Sequence, residues 1–392
     1  MTAIRILFPF AGDTGLGGSH VSALGLISAL DRTRFHPHIL LHQQAGAVGE
    51  HAHRLGLDFE VIEDLPLMKT RNNPRPGDIG PAGYLTWGIR RLMAEIKRLD
   101  PHIVHTNEGR IHANWALPAR LCGCKHLWHH RQDPTAFGVN KIAPLLSDHI
   151  ASVSWFSKPS RPIRSVDHMF SVIRSPFDFG DAPDADAARQ MILSELDLPE
   201  NTVLLGWFGL LTARKKPLRF VEAVAQIRKA LPYRPVHGLM FGEISEPGSD
   251  LDRQCRDRAE RLGIAGNLHL MGFRRPIADY MAGVDLNIVT ALSEPFGRTL
   301  IESMDFGTPV IATAHGGNPE AIDHGTTGYL VEPETPAAFV EPALTLIRKP
   351  SKYRTMVKAA RADVRGKYGR DVHVRLVSEL YEKLVNPEPV KG

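Results

Sequence analysis

Two carboxylates, Glu294 and Glu302, stand either side of a glycine in the run Ser293-Glu294-Pro295-Phe296-Gly297-Arg298-Thr299-Leu300-Ile301-Glu302. An apolar strand-like run, Leu286–Val289, precedes them, and Thr299–Phe306 follows with helical spacing. The chemistry this offers is recognition of a phosphorylated sugar. The Gly297 region opens the helix, whose first N–H groups lack partners and whose dipole favours an anion, so a phosphate suits it. Glu302 lies about one and a half turns further on, and a carboxylate accepting from two hydroxyls suits a ribose. Either glutamate alone would read as a solvated acid near a helix start. Their spacing relative to each other, to Gly307-Thr308-Pro309 and to Gly316-Gly317-Asn318-Pro319-Glu320 gives the ensemble its weight.

Two further clusters lie near the start of the chain. Lys125-His126-Leu127-Trp128-His129-His130-Arg131-Gln132-Asp133 begins as a strand and ends polar. That puts His129 and Arg131 at the carboxyl edge of a sheet, where open α/β folds bind ligands; a structural or surface role is the alternative. A zinc site is disfavoured, because neighbouring strand residues point to opposite faces. Gly12 to His20, with Gly17 and Gly18, joins the first strand to a helical segment. It either lets a ligand approach the backbone or is a plain strand-to-helix turn, and it matches no phosphate-cradling P-loop.

The elements that must carry these residues alternate. Ile4–Phe10, His38–Leu41 and Ile103–His105 read as strands, Val21–Leu30 and Tyr84–Leu99 as helices. The pattern restarts with Val203–Phe208, Leu218–Leu231, Val236–Phe241, Leu251–Leu262, Leu268–Met271 and Ile277–Ala282, and ends in Val310–Ala312 and Pro319–Ile322. Such alternation marks parallel α/β sheets, and 392 residues exceed one ordinary core. The expected class is α/β with two Rossmann-like domains, residues 1–178 and 179–392, with 179–200 as a linker and the C-terminal helix available to pack back on the first domain.

Composition excludes the disordered and fibrous classes, with 43% hydrophobic and 23% charged residues. Three cysteines make no disulfide framework, and a cytoplasmic location follows from the lack of a leader-like or membrane-spanning run. The net charge of +4 argues against a nucleic-acid binder. Residues 1–178 nevertheless hold 20 Lys+Arg against 15 Asp+Glu, and 14 of the 19 histidines. That half suits an anionic acceptor or peripheral attachment at the inner face of a membrane, with Lys69, Arg71 and Arg75 in a Pro/Gly/Asn-rich loop; a solvated surface is the plainer alternative. Asp184-Ala185-Asp186 resembles a metal-binding triplet, but its place in the linker suits helix capping instead.

The Glu-x7-Glu spacing of Glu294 and Glu302 resembles the signature of glycosyltransferase family 4, retaining enzymes of the GT-B fold, and the resemblance covers nearly the whole chain. It includes Gly17-Gly18, His129, Val172 to Asp178, Gly209 to Lys216 and Gly272-Phe273-Arg274. The resemblance implies a metal-independent hexosyl transfer with no cofactor, from a nucleoside diphosphate sugar (a UDP-sugar first, GDP-mannose second) to a glycan, lipid-linked or small-molecule acceptor, in a cleft between the domains. By the same comparison Glu294, His129 and Lys215 are the catalytic set. Glu302, Gly297, Phe273, Arg274, Arg214 and Lys216 bind the nucleotide and phosphates, while Gly17, Gly18, Phe296 and Arg131 line the donor and acceptor loops. Where the family has an arginine after Gly209 this chain has Leu210, so Arg214 or Lys216 is expected to supply the missing charge. A phosphorylase or epimerase on the same scaffold, and a non-catalytic sensor, are the other readings.

Overall fold

The computed structural model describes residues 3–12, 15–69, 77–244 and 248–386. The chain divides into two compact units, Met1–Asp178 with Tyr368–Gly392, and Phe179–Lys367.

The first unit is built on a seven-stranded sheet. Its strands are β1 (Ile4–Ala11), β2 (Phe35–His42), β3 (Glu60–Ile62), β4 (Ile103–Thr106), β5 (Lys125–His130), β6 (His149–Ser152) and β7 (Phe170–Val172), in the order β3-β2-β1-β4-β5-β6-β7. All neighbours run parallel. Alternate residues of β1 enter opposite cores: Ile4, Ile6, Phe8 and Phe10 pack with Leu24 and Ile27, and Leu7 with Leu40 and Trp115. This is the period-two pattern of a strand buried on both faces.

The second unit repeats the plan with six strands: β8 (Val203–Phe208), β9 (Val236–Phe241), β10 (Leu268–Gly272), β11 (Leu286–Val289), β12 (Val310–Thr313) and β13 (Tyr329–Val331). Their order is β10-β9-β8-β11-β12-β13, again all parallel. Val203, Leu205 and Trp207 face one core, and Leu204 and Phe208 the other. In both sheets the strand order reverses beside the first strand, between β1 and β4 and between β8 and β11, which opens a crevice at the carboxyl ends.

One boundary shifts, as the C-terminal helix packs back on the first unit. The second unit ends at Lys367 rather than 392, because helix Arg370–Val385 puts Val377, Leu380 and Tyr381 into the core around Phe35 and Ile39 of the first. Within 179–200 the chain forms the short helix Ala185–Glu195, which buries Ile192 and Leu193 against Met281 and Val284. Gly283 makes that approach possible, for a Cβ there would lie 2.8 Å from the Ala188 backbone. Asp184 caps this helix, its Oδ1 accepting from the Asp186 and Ala187 amides at 3.0 and 3.1 Å. Among the described residues no helix is long and apolar enough to cross a membrane, and the three cysteines are free.

Candidate functional site

The crevice of the second unit is formed by the segments that follow β8 and β11. After β8 the chain turns at Gly209, whose φ of 149° no larger residue readily adopts, and a Cβ there would lie 2.9 Å from Lys215 Nζ. Ala213–Lys215 form a short 3-10 turn, and Lys216, at φ 50°, starts helix Pro217–Ala230. Thr290, just past β11, anchors this turn. Its hydroxyl lies 2.9 and 3.0 Å from the carbonyls of Lys215 and Lys216 and takes the indole N–H of Trp207 at 3.1 Å. The Leu292 amide donates to the Arg214 carbonyl at 2.9 Å, so the two segments are tied together on both sides of the site.

Glu294 lies at the centre of this arrangement. One carboxylate oxygen lies 2.7 Å from Arg214 Nη1 and 3.3 Å from Lys215 Nζ. Burial would raise the Glu294 pKa, but Lys215 and Arg214 outweigh it and hold the carboxyl below its ordinary value. It is therefore a carboxylate at neutral pH. The loop that presents it rests on glycine: a Cβ on Gly316, itself at φ 67°, would lie 2.6 Å from the Glu294 carbonyl oxygen, and one on Gly317 2.6 Å from that of Pro295. The Gly317 amide donates to Glu294 O at 2.8 Å, and the Ser293 amide to His315 Nδ1 at 2.9 Å. Sequence reading found the glycine pair but not His315.

Gly297 adopts a left-handed conformation, φ 70°, and begins helix Arg298–Phe306, where Leu300, Ile301 and Met304 are buried. Glu302 is on this helix, 3.5 Å from Arg298 Nη2 one turn earlier. Burial raises the pKa of Glu302, opposed by Arg298 and by Lys215. Lys215 thus acts electrostatically on both glutamates.

The other expected residues are distributed more widely. Phe296 is buried. Leu210 is half exposed, and Arg214, not the backbone-anchored Lys216, makes the contact with Glu294. Phe273 and Arg274 follow the edge strand β10, two strands from β8. There Arg274 pairs with Glu195 at 3.3 Å, and Arg275 lies over the Phe273 ring.

In the first unit the crevice between β1 and β4 holds a couple that sequence reading missed. The Gly17 amide donates to His20 Nδ1 at 3.0 Å, so the proton of a neutral His20 is on Nε2, 3.1 Å from Glu108 Oε2. Glu108 Oε1 accepts from the Ala11 amide at 2.7 Å. Gly17, at the start of the helix Gly18–Ala29, is thus linked through His20 and Glu108 to Ala11 at the end of β1. His129, on β5, is fully buried beside Arg131, His105 and His373. Arg131 reaches Ser175 Oγ at 2.7 Å and Asn107 Oδ1 at 3.4 Å. Burial, reinforced by the Arg131 charge and by His105 and His373, holds the His129 pKa well below the usual imidazole range, against the Ile173 backbone. Lys69 is exposed; Arg71 and Arg75 of the same loop lie outside the described residues.

Residues 189–363 match the family model of the glycosyl transferases group 1, a stretch wholly within the second unit. The D-inositol 3-phosphate glycosyltransferase of Corynebacterium glutamicum (strain R) is 32% identical over 169 residues, which is 42% of this chain and 40% of the relative. That of Corynebacterium kroppenstedtii is 28% identical over 210 residues, 53% of this chain and 46% of the relative. The matches thus span less than half the length of these curated relatives. HepE of Anabaena, solved in complex with UDP, is similar with a TM-score of 0.79 at 20% identity, over 97% of this chain and 100% of that one. A glycosyltransferase from Rickettsia africae is similar with a TM-score of 0.77 at 19% identity, over 99% and 100%. At such identities the likeness is one of fold, two Rossmann-like units of the GT-B class. The stretch that matches the group 1 model makes up most of the second unit.

Proposed function

We propose that this protein is a retaining glycosyltransferase that moves a sugar from a nucleoside diphosphate sugar, a UDP-sugar first, to a hydroxyl of a glycan, lipid-linked or small-molecule acceptor. The observation that carries the reading is the Glu294 carboxylate held by Lys215 and Arg214 where the second sheet reverses its order. The relatives named as glycosyltransferases and the UDP in HepE support it.

In this reading the donor's diphosphate takes Lys215 and Arg214 as its counter-charges, and the first amides of helix Arg298–Phe306 add their dipole. Glu302 accepts from the ribose hydroxyls. The bond between the sugar's anomeric carbon and the diphosphate oxygen breaks. The acceptor oxygen then bonds to that carbon from the same face and gives its proton to the departing phosphate. Glu294, as an anion, accepts from a sugar hydroxyl and does not supply the proton. Negative charge grows on the leaving diphosphate, and fixed cations beside it lower that barrier without a divalent ion.

The test is turnover of UDP-, GDP- and ADP-sugars with hydroxyl acceptors, with product anomers read by NMR and the rate repeated in EDTA. Transfer with the donor's configuration kept, at an unchanged rate in chelator, is the expected result. An inverted product would overturn the front-face route, and a rate that falls in EDTA and returns with magnesium or manganese would overturn the metal-free one. Release of a sugar phosphate on adding inorganic phosphate would favour the phosphorylase reading, and donor binding with no turnover of any sugar the sensor.

A further inference from the structure

Between β5 and β7 the first unit turns apolar side chains outward. Phe137 is 73% exposed, Trp155 58% and Ile163 55%, and Leu145 is exposed as well. The fold does not need them inside. Val139 and Ala143, on the helical segments Gly138–Ile142 and Ala143–Leu146, already fill the core against Trp128 and Ile150. Phe137, Lys141 and Leu145 recur at every fourth position, so they share the face turned away from that core.

One buried side chain joins this face to the loop after β6. Asn140 accepts from the Arg161 amide at Oδ1, 2.7 Å, and from the Ile163 amide at its carbonyl, 2.8 Å. Its Nδ2 donates to the carbonyls of Pro134 and Ala136 at 2.7 and 2.8 Å. Arg161 and Ile163 therefore stand beside the turn that carries Phe137 and Lys141. Trp155, on the same loop, rests against Phe170 with ring centroids 5.6 Å apart. The charge here has one sign. Residues 134–166 hold four cations, Lys141, Lys158, Arg161 and Arg164, against one acid, Asp148. Asp148 lies at the amino end of β6, where it binds Lys125 and the His126 amide. Lys158 pairs with Asp167. Lys141, Arg161 and Arg164 are exposed and make no ion pair among the described residues.

The two kinds of surface that could cover this face make opposite demands. A protein partner dries an apolar centre and keeps charges, lysine above all, out of it. Lys141 lies between Phe137 and Leu145, and Arg161 two residues from Ile163, so a protein partner would bury cations among the apolar groups. A bilayer interface takes the mixture: rings and aliphatic tips enter the boundary between headgroups and acyl chains, while long cationic side chains reach back to lipid phosphates. An indole such as that of Trp155 suits this depth. We propose that Phe137, Trp155 and Ile163, together with Lys141, Arg161 and Arg164, form a docking surface for an anionic lipid bilayer. It lies on a different segment from the loop around Lys69, and it goes beyond the sugar-transfer reading, since it needs no donor.

The test is co-sedimentation of the full chain, without donor or acceptor, with vesicles of phosphatidylcholine alone and of phosphatidylcholine mixed with phosphatidylglycerol. The wild type should pellet with the mixed vesicles and be released by high salt. Phe137→Ser with Ile163→Ser should lower the partition coefficient about tenfold or more. Lys141→Gln with Arg161→Gln and Arg164→Gln should abolish the preference for anionic vesicles. Leu121→Ser removes a side chain of similar exposure, 56%, from the end of helix Gly109–Leu121, and should change nothing. Brominated lipid should quench a part of the wild-type fluorescence that is missing from Trp155→Phe. No binding by the wild type, or binding indifferent to both sets of substitutions, overturns the proposal, and so does an equal loss in Leu121→Ser. A dimer in solution that Phe137→Ser with Ile163→Ser dissociates overturns it in favour of a second copy of this chain. A protein that binds vesicles as described but transfers no sugar from any donor would lose the glycosyltransferase reading alone.

Discussion

At the carboxyl edge of the first sheet imidazoles predominate, beside Arg131 and the His20–Glu108 couple. His105, His129 and His130 are buried, and burial is the leading cause that holds each below the usual imidazole range. At the same edge of the second sheet the groups are Arg214, Lys215, Glu294, Arg298 and Glu302, charged and in part open to solvent. The topology is the same and the materials are opposite. A neutral buried network can only direct, through which atom donates and which accepts, and being desolvated it is intolerant of added charge. A part-exposed charged cluster attracts, and it can exchange its internal ion pairs for a ligand's phosphates with little rearrangement. The comparison teaches that one architecture can present a buried network of directed donors and acceptors at one edge and a charged cluster at another.

Acid should separate the halves most sharply. His126, His42 and His373 are shifted to about 3, and His130 to about 4, all chiefly by burial. Their folded-state values lie below the unfolded one, so between about pH 6.5 and 3–4 the unfolded chain binds protons that the folded chain refuses. Stability is present above that window and is lost as pH falls through it. Between pH 7 and pH 5 each such group costs about 2 kcal/mol. Limited proteolysis of the full chain at pH 5 should therefore cut within residues 1–178 first and leave a fragment spanning the second unit, whose shifted histidines are His237 and its neighbour His269. Loss of both units together would break the comparison.

The next largest effect belongs to Lys215, which lies beside Glu294 and acts on Glu302 as well. Lys215→Ala should lower turnover about 10²–10³-fold, the cost of removing a fixed transition-state donor, with the melting temperature little changed. Glu302→Ala should weaken UDP binding by about 1.5–3 kcal/mol in calorimetry; unchanged affinity would remove it from ribose recognition. Arg214 is more exposed, with 42% of its side chain open to solvent, so Arg214→Ala should cost about 0.2–1 kcal/mol of UDP affinity. A loss as large as that of Lys215→Ala would make Arg214, not Lys215, the principal phosphate ligand.

Much of this contrast was legible in the chain. Val203–Phe208, Val236–Phe241 and Leu286–Val289 are strands at the residues where their apolar runs fall, because a strand buried on both faces leaves an unbroken hydrophobic stretch. Glu294 and Glu302 were legible because a loop and the helix after it fix their spacing locally. The short edge strands β3, β7 and β13 lack such runs. Tyr381 and His373 were not legible as partners of His105 on β4 and His129 on β5, since their contacts close over most of the chain's length and no periodicity records that. His20 and Glu108 escaped for the same reason, 88 residues apart and joined only where β1 and β4 pair.

The central claim is that the second unit's charged edge exists to hold a diphosphate, and calorimetric titration of UDP and of uridine into the wild type and into Lys215→Ala tests it most directly. UDP should bind the wild type at least about tenfold more tightly than uridine, as expected for hydrogen bonds to a charged group. Lys215→Ala should erase most of that difference while leaving uridine binding as it was. Equal affinities for UDP and uridine in the wild type, or a preference for UDP that survives Lys215→Ala and Arg214→Ala together, would contradict it.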